Sequence, residues 1–130
     1  MMDDKKTILA TLMKENCCPI LLEKANSKAF KDAVIIDGNC DRSVLNGHYE
    51  ELEFVPPDWY RELLNKNNPI LLIKNLNVVS KEEQYKFNEI LKYRKVSTFM
   101  LPENCIIIAT CKDLQNSPIN EDIYSLFAHI

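Results

Sequence analysis

The side chains best suited to covalent or metal chemistry in this chain are five cysteines and two histidines. The cysteines are Cys17, Cys18, Cys40, Cys105 and Cys111. Their number is odd and no Cys-x-x-Cys pair occurs, whereas disulfide frameworks use even counts in secreted chains. His48 and His129 are far apart and lack the spacing of zinc ligands. We therefore predict reduced, mostly buried thiols, the adjacent pair included, and no metal site.

Lysines could support a second kind of chemistry, the binding of an anion. Lys24, Lys28 and Lys31 are close together in sequence, and Lys74 ends an apolar run. Strong phosphate sites add a nest of backbone N–H groups around glycines, and residues 23–31 contain no glycine. The favoured interpretation is solvated surface lysines, with weak binding of phosphate or another anion as the alternative.

Composition restricts the classes of protein and partner. The chain has 130 residues, 46% hydrophobic and 27% charged, with a net charge of -3, which suits one domain over residues 1–130. A nucleic-acid binder needs an excess of basic residues. No apolar run approaches the roughly 20 residues of a membrane span, and the charged start does not resemble a secretory signal. We predict a cytoplasmic protein without nucleic-acid or membrane partners.

The elements that must position any site are four continuous apolar runs alternating with helical patterns. The runs predict strands near residues 19–23, 33–37, 69–73 and 104–110. The patterns predict helices over about 3–16, 57–66, 80–93 and 120–127, and a short turn of helix within 25–31. Strands that are apolar on both faces must be covered on both. The fold class predicted is therefore α/β, a three-layer parallel sheet flanked by helices.

Smaller features add detail to this fold. Ser80 and Glu83 have the spacing of a capping box. Trp59 has helical spacing to Leu63, which favours a core position over an interface anchor. Residues 38–55, which hold both glycines, are expected to be irregular.

The order of several motifs resembles that in AAA+ ATPases of the MoxR-like branch. The motifs are Asp41 with Leu45-x-Gly47, Pro56-Pro57-Asp58-Trp59, residues 69–77 followed by Glu83-Gln84, residues 101–110, and residues 123–130. They are similar, in the same order, to the family's Gly-containing loop, Pro-Pro-x-Trp helix, Walker B strand and helix, sensor strand, and final segment before the lid. The resemblance covers most of residues 19–130 and implies a P-loop NTPase-like fold.

The resemblance also shows where this sequence departs from a working ATPase. It places the phosphate-loop lysine and hydroxyl on Phe30 and Lys31, and the Walker B aspartate and glutamate on Lys74 and Asn75. An ammonium group cannot ligate Mg²⁺, and an amide cannot take a proton from water at neutral pH. The phosphate loop and the metal site of the family are therefore both replaced.

Two further family positions are replaced as well. The sensor asparagine falls on Lys112 and the arginine finger falls on Leu126. The family continues into a helical lid where this sequence stops, at Ile130. The resemblance thus implies a degenerate AAA+-like core domain with no catalytic residues, no cofactor and no metal.

The favoured function is a pseudo-ATPase module acting through protein–protein interaction or self-association, and the replaced residues favour a non-enzymatic role over an enzymatic one. Two alternatives stay open: an ATP-binding protein or ATPase with an unorthodox nucleotide site, and a truncated remnant without activity. A final helix over 120–127 and a short strand from residue 128 are also expected. There Ile123, Phe127 and Ile130 would pack against the core or contribute to a partner contact.

Overall fold

The computed structural model describes residues 2–15, 18–23, 30 and 32–129. The strands are β1 (Ile20–Glu23), β2 (Val34–Asp37), β3 (His48–Glu50), β4 (Glu53–Val55), β5 (Ile70–Lys74), β6 (Lys95–Val96), β7 (Phe99–Met100), β8 (Ile106–Cys111) and β9 (Ala128–His129). The α-helices are α1 (Met2–Glu15), α2 (Arg42–Asn46), α3 (Asp58–Leu64), α4 (Lys81–Gln84) and α5 (Glu121–Tyr124). Turns of 3₁₀-helix cover Leu76–Val78 and Tyr85–Phe87, and a π-helical turn covers Glu89–Tyr93.

The main sheet has five strands in the order β2-β5-β8-β1-β9, and every pair within it is parallel. In the centre of the sheet, Leu72 lies opposite Ile35 on one side and Ile108 on the other. The four predicted strands are all present, within about two residues of their predicted ends. The predicted parallel α/β fold is therefore confirmed.

Apolar side chains cover both faces of this sheet, because successive residues of a strand point to opposite sides. One face carries Leu21, Leu71, Ile73 and Ile107, which join the larger core with side chains of α3, the 81–93 segment and α5. The other face carries a smaller cluster of Ile20, Leu22, Leu72 and Ile108, against which Leu9, Leu12 and Met13 of α1 pack. The sheet is thus the middle of three layers, as the continuous apolar runs predicted.

The helices agree with prediction in position more than in pitch. Helix α1 begins at Met2, ahead of the predicted Asp3 or Asp4 cap. Ser80 caps α4, since its Oγ accepts a hydrogen bond from Glu83 N at 3.3 Å. The predicted single helix over 80–93 changes from α to 3₁₀ to π pitch, which an apolar pattern alone does not resolve. No helix among the described residues combines the length and apolarity needed to cross a membrane.

Residues 38–55 are not irregular, and this expectation was wrong. They form α2 and an antiparallel hairpin of β3 and β4, in which Tyr49 lies opposite Phe54. The ring of Phe54 stacks on that of Phe99, with centroids 5.5 Å apart. Phe99 belongs to a second hairpin, β6–β7, that was also not predicted. Contacts between residues distant in sequence therefore stabilise both hairpins, and local patterns do not reveal them.

Two expectations about packing are confirmed. Trp59 is buried in the larger core, and its indole N–H donates a hydrogen bond to Leu45 O at 3.1 Å. At the other end of the chain, Ile123 and Phe127 are buried in the same core, and β9 pairs in parallel with β1. Ile130 lies outside the described residues.

Candidate functional site

In open parallel sheets, ligands bind outside the carboxyl ends of the strands. We call this region the carboxyl edge: the last residues of β1, β5 and β8, which are Glu23, Lys74 and Cys111, together with the residues that follow β5 and β8. Glu23 lies opposite Cys111 in the register, and Lys74 lies opposite Asp37. Two of the residues that the sequence resemblance singled out directly follow these strand ends, Asn75 after β5 and Lys112 after β8.

Lys74 and Asn75 form a tight turn away from the sheet. The Lys74 side chain is exposed, and its carbonyl oxygen accepts a hydrogen bond from Gly38 N at 2.7 Å. Asn75 has φ 55 and ψ 58, in the left-handed region that asparagine tolerates better than most residues. Its backbone N–H donates to Thr110 Oγ1 at 3.0 Å. The chain therefore turns sharply at the position where the family resemblance places the catalytic glutamate.

Gly38 packs directly against this turn. A Cβ atom at Gly38 would lie 2.1 Å from the Asn75 carbonyl oxygen and 3.2 Å from Leu76 Cα. Both neighbours are backbone atoms, which cannot swing aside as a flexible side chain can. Glycine is thus required at position 38 for β2 and β5 to end as they do.

Asn77 connects the end of β5 to the segment that follows β8. Its side-chain amide donates to Lys112 O at 2.6 Å and to Ser117 O at 2.7 Å, and its Oδ1 accepts a hydrogen bond from Lys112 N at 3.4 Å. The Lys112 side chain is exposed. The backbone of Lys112 is therefore fixed, while its ammonium group faces solvent.

Gln84 makes a second connection, deeper in the molecule. Its Nε2 donates to Val79 O at 3.0 Å and to Pro118 O at 3.2 Å, and its Oε1 accepts from Asn120 N at 2.7 Å. Asn120 in turn caps α5, because its Oδ1 accepts from the N–H of Asp122 at 2.9 Å. The segment from β8 to α5 is thus held by buried amide side chains.

An exposed ion pair lies beside this amide network. Lys81 Nζ is 2.7 Å from Glu121 Oε1. The hydrogen bond from Lys81 lowers the pKa of the Glu121 carboxyl. This pair is solvent-exposed, so it contributes little to holding α4 and α5 together.

Sequence reasoning gave no structural role to Asn77, Gln84 or Thr110, the polar side chains buried among the described residues. Gln84 did carry a detectable pattern, because it precedes the buried Phe87 and Leu91 at the i, i+3, i+7 spacing of one helix face. A glutamine on an apolar face must find hydrogen-bond partners inside the protein.

The carboxyl edge borders an opening of about 510 Å³, lined by Glu23, Lys112, Asp113, Leu114 and Gln115. The lining of this opening carries both negative charges, from Glu23 and Asp113, and a positive charge, from Lys112. Nowhere in the described part of the chain do three or more His, Cys, Asp or Glu side chains come close enough to hold a metal ion. The edge thus offers exposed lysines together with acidic and amide groups.

Two other residues that the sequence resemblance singled out, Phe30 and Leu126, pack in apolar surroundings. Phe30 lies against the smaller core cluster, on the face that α1 covers. Leu126 is half-buried against the larger core. Lys24, Lys28 and Lys31 lie outside the described residues, so the alternative of an anion site at these lysines stays a prediction. The structure therefore brings Lys74, Asn75 and Lys112 to one edge and places Phe30 and Leu126 elsewhere.

Within the described residues the cysteines form no disulfide, and Cys17 lies outside those residues. Cys105 and Cys111 are buried, and Cys18 and Cys40 are half-buried. Burial raises the pKa of both Cys105 and Cys111 to about 11, and the Glu23 carboxylate adds to the effect at Cys111. Burial also raises the pKa of Cys40. The thiolate is the nucleophile, so these three cysteines are poorly suited to nucleophilic catalysis at neutral pH.

Comparison with solved structures relates this fold to a protein from Cytophaga hutchinsonii ATCC 33406 whose provisional description is ATPase. The TM-score is 0.66 at 18% sequence identity, and the match covers 97% of this chain but 46% of that one. No protein-family model matches the chain, and no curated protein matches it. The likeness shows the fold, a parallel α/β sheet flanked by helices, and this chain spans about half the length of the protein it resembles.

Proposed function

We propose that this chain is an AAA+-like domain that does not hydrolyse ATP and acts through contacts with other protein surfaces. One observation carries the proposal: β5 ends in an exposed lysine, Lys74, followed by an asparagine, Asn75, in the left-handed conformation. At the same place a hydrolysing relative needs a carboxylate to hold Mg²⁺ and a second carboxylate to activate water.

The charges at the carboxyl edge argue against metal-assisted phosphoryl transfer. An ammonium group at position 74 repels Mg²⁺ and cannot ligate it. The backbone N–H of Asn75 is occupied by Thr110, and its side-chain amide is no base. Leu126, at the position matched to the arginine finger, packs against the chain's own core and carries no charge.

Exposed apolar side chains support the interaction role. Tyr49, Leu52, Tyr93 and Met100 are each more than half exposed, and they belong to the two hairpins or the residues beside them. Exposed apolar surface of this kind often marks a contact with another protein. We therefore assign the loss of hydrolysis to the carboxyl edge and the binding surface to the hairpins, and the two can be tested separately.

Steady-state phosphate release tests the loss of hydrolysis. We expect no ATP turnover above background by the wild-type chain, and none by the double variant Lys74→Asp, Asn75→Glu. The double variant restores the carboxylates but leaves Phe30 and Leu126 in place, and it requires a glutamate at a positive φ. Magnesium-dependent turnover by the wild-type chain that Lys112→Ala removes would contradict the proposal.

The alternative of an unorthodox nucleotide site has one observation in its favour, the opening beside Lys112. Such a site would bind ATP without the usual phosphate loop. It is distinguished from the main proposal by equilibrium binding, whatever the outcome of the hydrolysis assay. A remnant without activity would show neither nucleotide binding nor specific association.

A further inference from the structure

The turn of the β3–β4 hairpin exposes an unusual combination of residues. We call Glu50, Glu51, Leu52 and Glu53 the hairpin tip. Leu52 is 97% exposed. Glu50 and Glu53 lie directly opposite one another in the strand register, and Glu51 between them has φ 56. The tip thus presents an exposed leucine in a turn that also carries three exposed glutamates.

Each feature of the tip is unfavourable in the isolated chain. Like charges directly opposite in a hairpin repel one another. A non-glycine residue at positive φ is strained. A leucine in water loses the free energy that burial would provide. The imidazole of His48, 3.2 Å from Glu50, is the basic group paired with the tip among the described residues. A positively charged apolar surface would relieve both the charge repulsion and the exposure of the leucine.

Such a surface is present on the same chain. We call Lys92, Tyr93, Lys95 and Met100 the lysine–tyrosine patch. The ammonium groups of Lys92 and Lys95 lie 5.4 Å and 5.7 Å from the centre of the Tyr93 ring. Met100 is directly opposite Lys95 in the β6–β7 hairpin, so the two side chains share a face. Tyr93 and Met100 are 54% and 59% exposed. The patch therefore combines apolar area with two positive charges.

The tip and the patch do not neutralise one another within one molecule. The contacts between basic and acidic side chains found within the described residues are Lys81 with Glu121 and the imidazole of His48 with Glu50. Within the part of the chain that the structure describes, neither lysine of the patch has a carboxylate within ion-pair distance, and neither Glu51 nor Glu53 has a basic group within that distance. The two surfaces are thus complementary in charge and unpaired in cis.

The two surfaces also belong to hairpins that pack against each other. Phe54, next to Glu53, stacks on Phe99, next to Met100, with ring centroids 5.5 Å apart. In a two-fold interface each surface is used reciprocally, so a contact of one tip with the partner's patch is repeated by the partner's tip on the first patch.

We propose that a second copy of this chain docks in this way, its hairpin tip on the lysine–tyrosine patch. The inference rests on the interaction role proposed above and names a partner for it. Tip and patch together are eight residues, fewer than the roughly 20–30 per partner of a standard stable interface. The dimer is therefore weak, and because charge pairs contribute to it, it is sensitive to salt.

Sedimentation velocity over a micromolar to millimolar concentration series tests the proposal on the intact chain. We expect the weight-average mass to rise from the 15.1 kDa monomer toward twice that value at low ionic strength. In high salt the same series should stay near the monomer. A constant monomer mass at all concentrations in low salt, or association that salt does not weaken, would overturn the proposal.

Charge-reversal variants test whether the dimer contact is made by the hairpin tip and the lysine–tyrosine patch. The tip variant Glu51→Lys, Glu53→Lys and the patch variant Lys92→Glu, Lys95→Glu should each be monomeric alone. Mixed in equal amounts they should associate, because the reversed charges again attract. Leu52→Ser should weaken association without changing charge. Association by either charge variant alone, or failure of the mixture to associate, would refute the assignment.

A matched control reverses two exposed carboxylates elsewhere, Glu62→Lys and Glu82→Lys, which changes net charge as the tip variant does. It should dimerise like the wild type. Circular dichroism of every variant verifies folding, which is expected because all the altered side chains lie at the surface. Nucleotide binding and self-association are measured separately. A monomer that binds no ATP would refute this inference alone, and a dimer that hydrolyses ATP would refute the proposed loss of catalysis alone.

Discussion

Replacing Gln84 by alanine is expected to lower the free energy of unfolding by about 3 kcal/mol and the melting temperature by roughly 10 °C. Gln84 is fully buried, and its side chain makes three hydrogen bonds, to Val79 O, Pro118 O and Asn120 N. The substitution leaves all three backbone groups without this partner and opens a cavity. Urea unfolding followed by circular dichroism measures the effect.

Two further variants separate the contribution of the Gln84 amide from that of the cavity and from that of the neighbouring ion pair. Gln84→Met nearly conserves the volume and removes the hydrogen bonds, so it should keep most of the loss if the amide rather than the cavity is responsible. Lys81→Ala, which breaks the exposed pair with Glu121 in the same region, should leave the melting temperature nearly unchanged. A loss below about 1 kcal/mol in Gln84→Ala would contradict a structural role for the network.

Gly38→Ala is the second substitution with a large expected effect, a loss of about 2–4 kcal/mol in unfolding free energy. Its new Cβ would meet the Asn75 carbonyl oxygen at 2.1 Å, so the backbone at the end of β2 or β5 must move. That movement would also disturb the hydrogen bonds that Lys74 O and Asn75 N make. Thermal unfolding of the purified variant gives the measurement.

Asn39→Ala is the matched control for Gly38→Ala. It places the same methyl side chain one residue further along the same turn, at an exposed position. Its unfolding free energy should stay within about 0.5 kcal/mol of the wild type. If Gly38→Ala is equally mild, the close packing of β2 on the Asn75 turn does not occur in solution.

The sheet was predictable because its strands are apolar on both faces. Runs such as residues 69–73 cannot be satisfied at a surface, and their alternation with helical patterns leaves few arrangements other than a covered parallel sheet. The short β9 was also expected after the last helix. These features follow from local apolar patterns, and such patterns are visible in a single sequence.

The two hairpins were not predictable, because contacts between residues distant in sequence stabilise them. The β3–β4 turn contains Glu51 at positive φ where glycine or asparagine is the usual signal. Its strands are short, and Phe54 packs on Phe99, 45 positions away in the chain. Gly47 was visible in the sequence, but its role was not: a Cβ there would lie 2.4 Å from Val55 O, at φ 76. Tertiary contacts decide such segments, and local propensity does not.

The candidate site was predictable in part. Strand ends place Lys74, Asn75 and Lys112 at the carboxyl edge once the sheet is known to be parallel. The hydrogen bonds of Asn77 and Gln84 could not be assigned, because their partners lie 34 to 40 residues away in the chain for all but Val79. A polar side chain on an apolar face indicates that a hydrogen-bond partner is needed, but the sequence does not identify that partner.

The most direct test of the central claim is a calorimetric titration of the intact chain with ATP in the presence of Mg²⁺, with the melting temperature measured in parallel. We expect no saturable heat and no thermal stabilisation at millimolar ATP. A ligand present at 100 times its dissociation constant would stabilise the fold by about 2.7 kcal/mol, which is easily detected. Saturable micromolar binding that is lost in Lys112→Ala would contradict the account and establish a nucleotide site at the carboxyl edge.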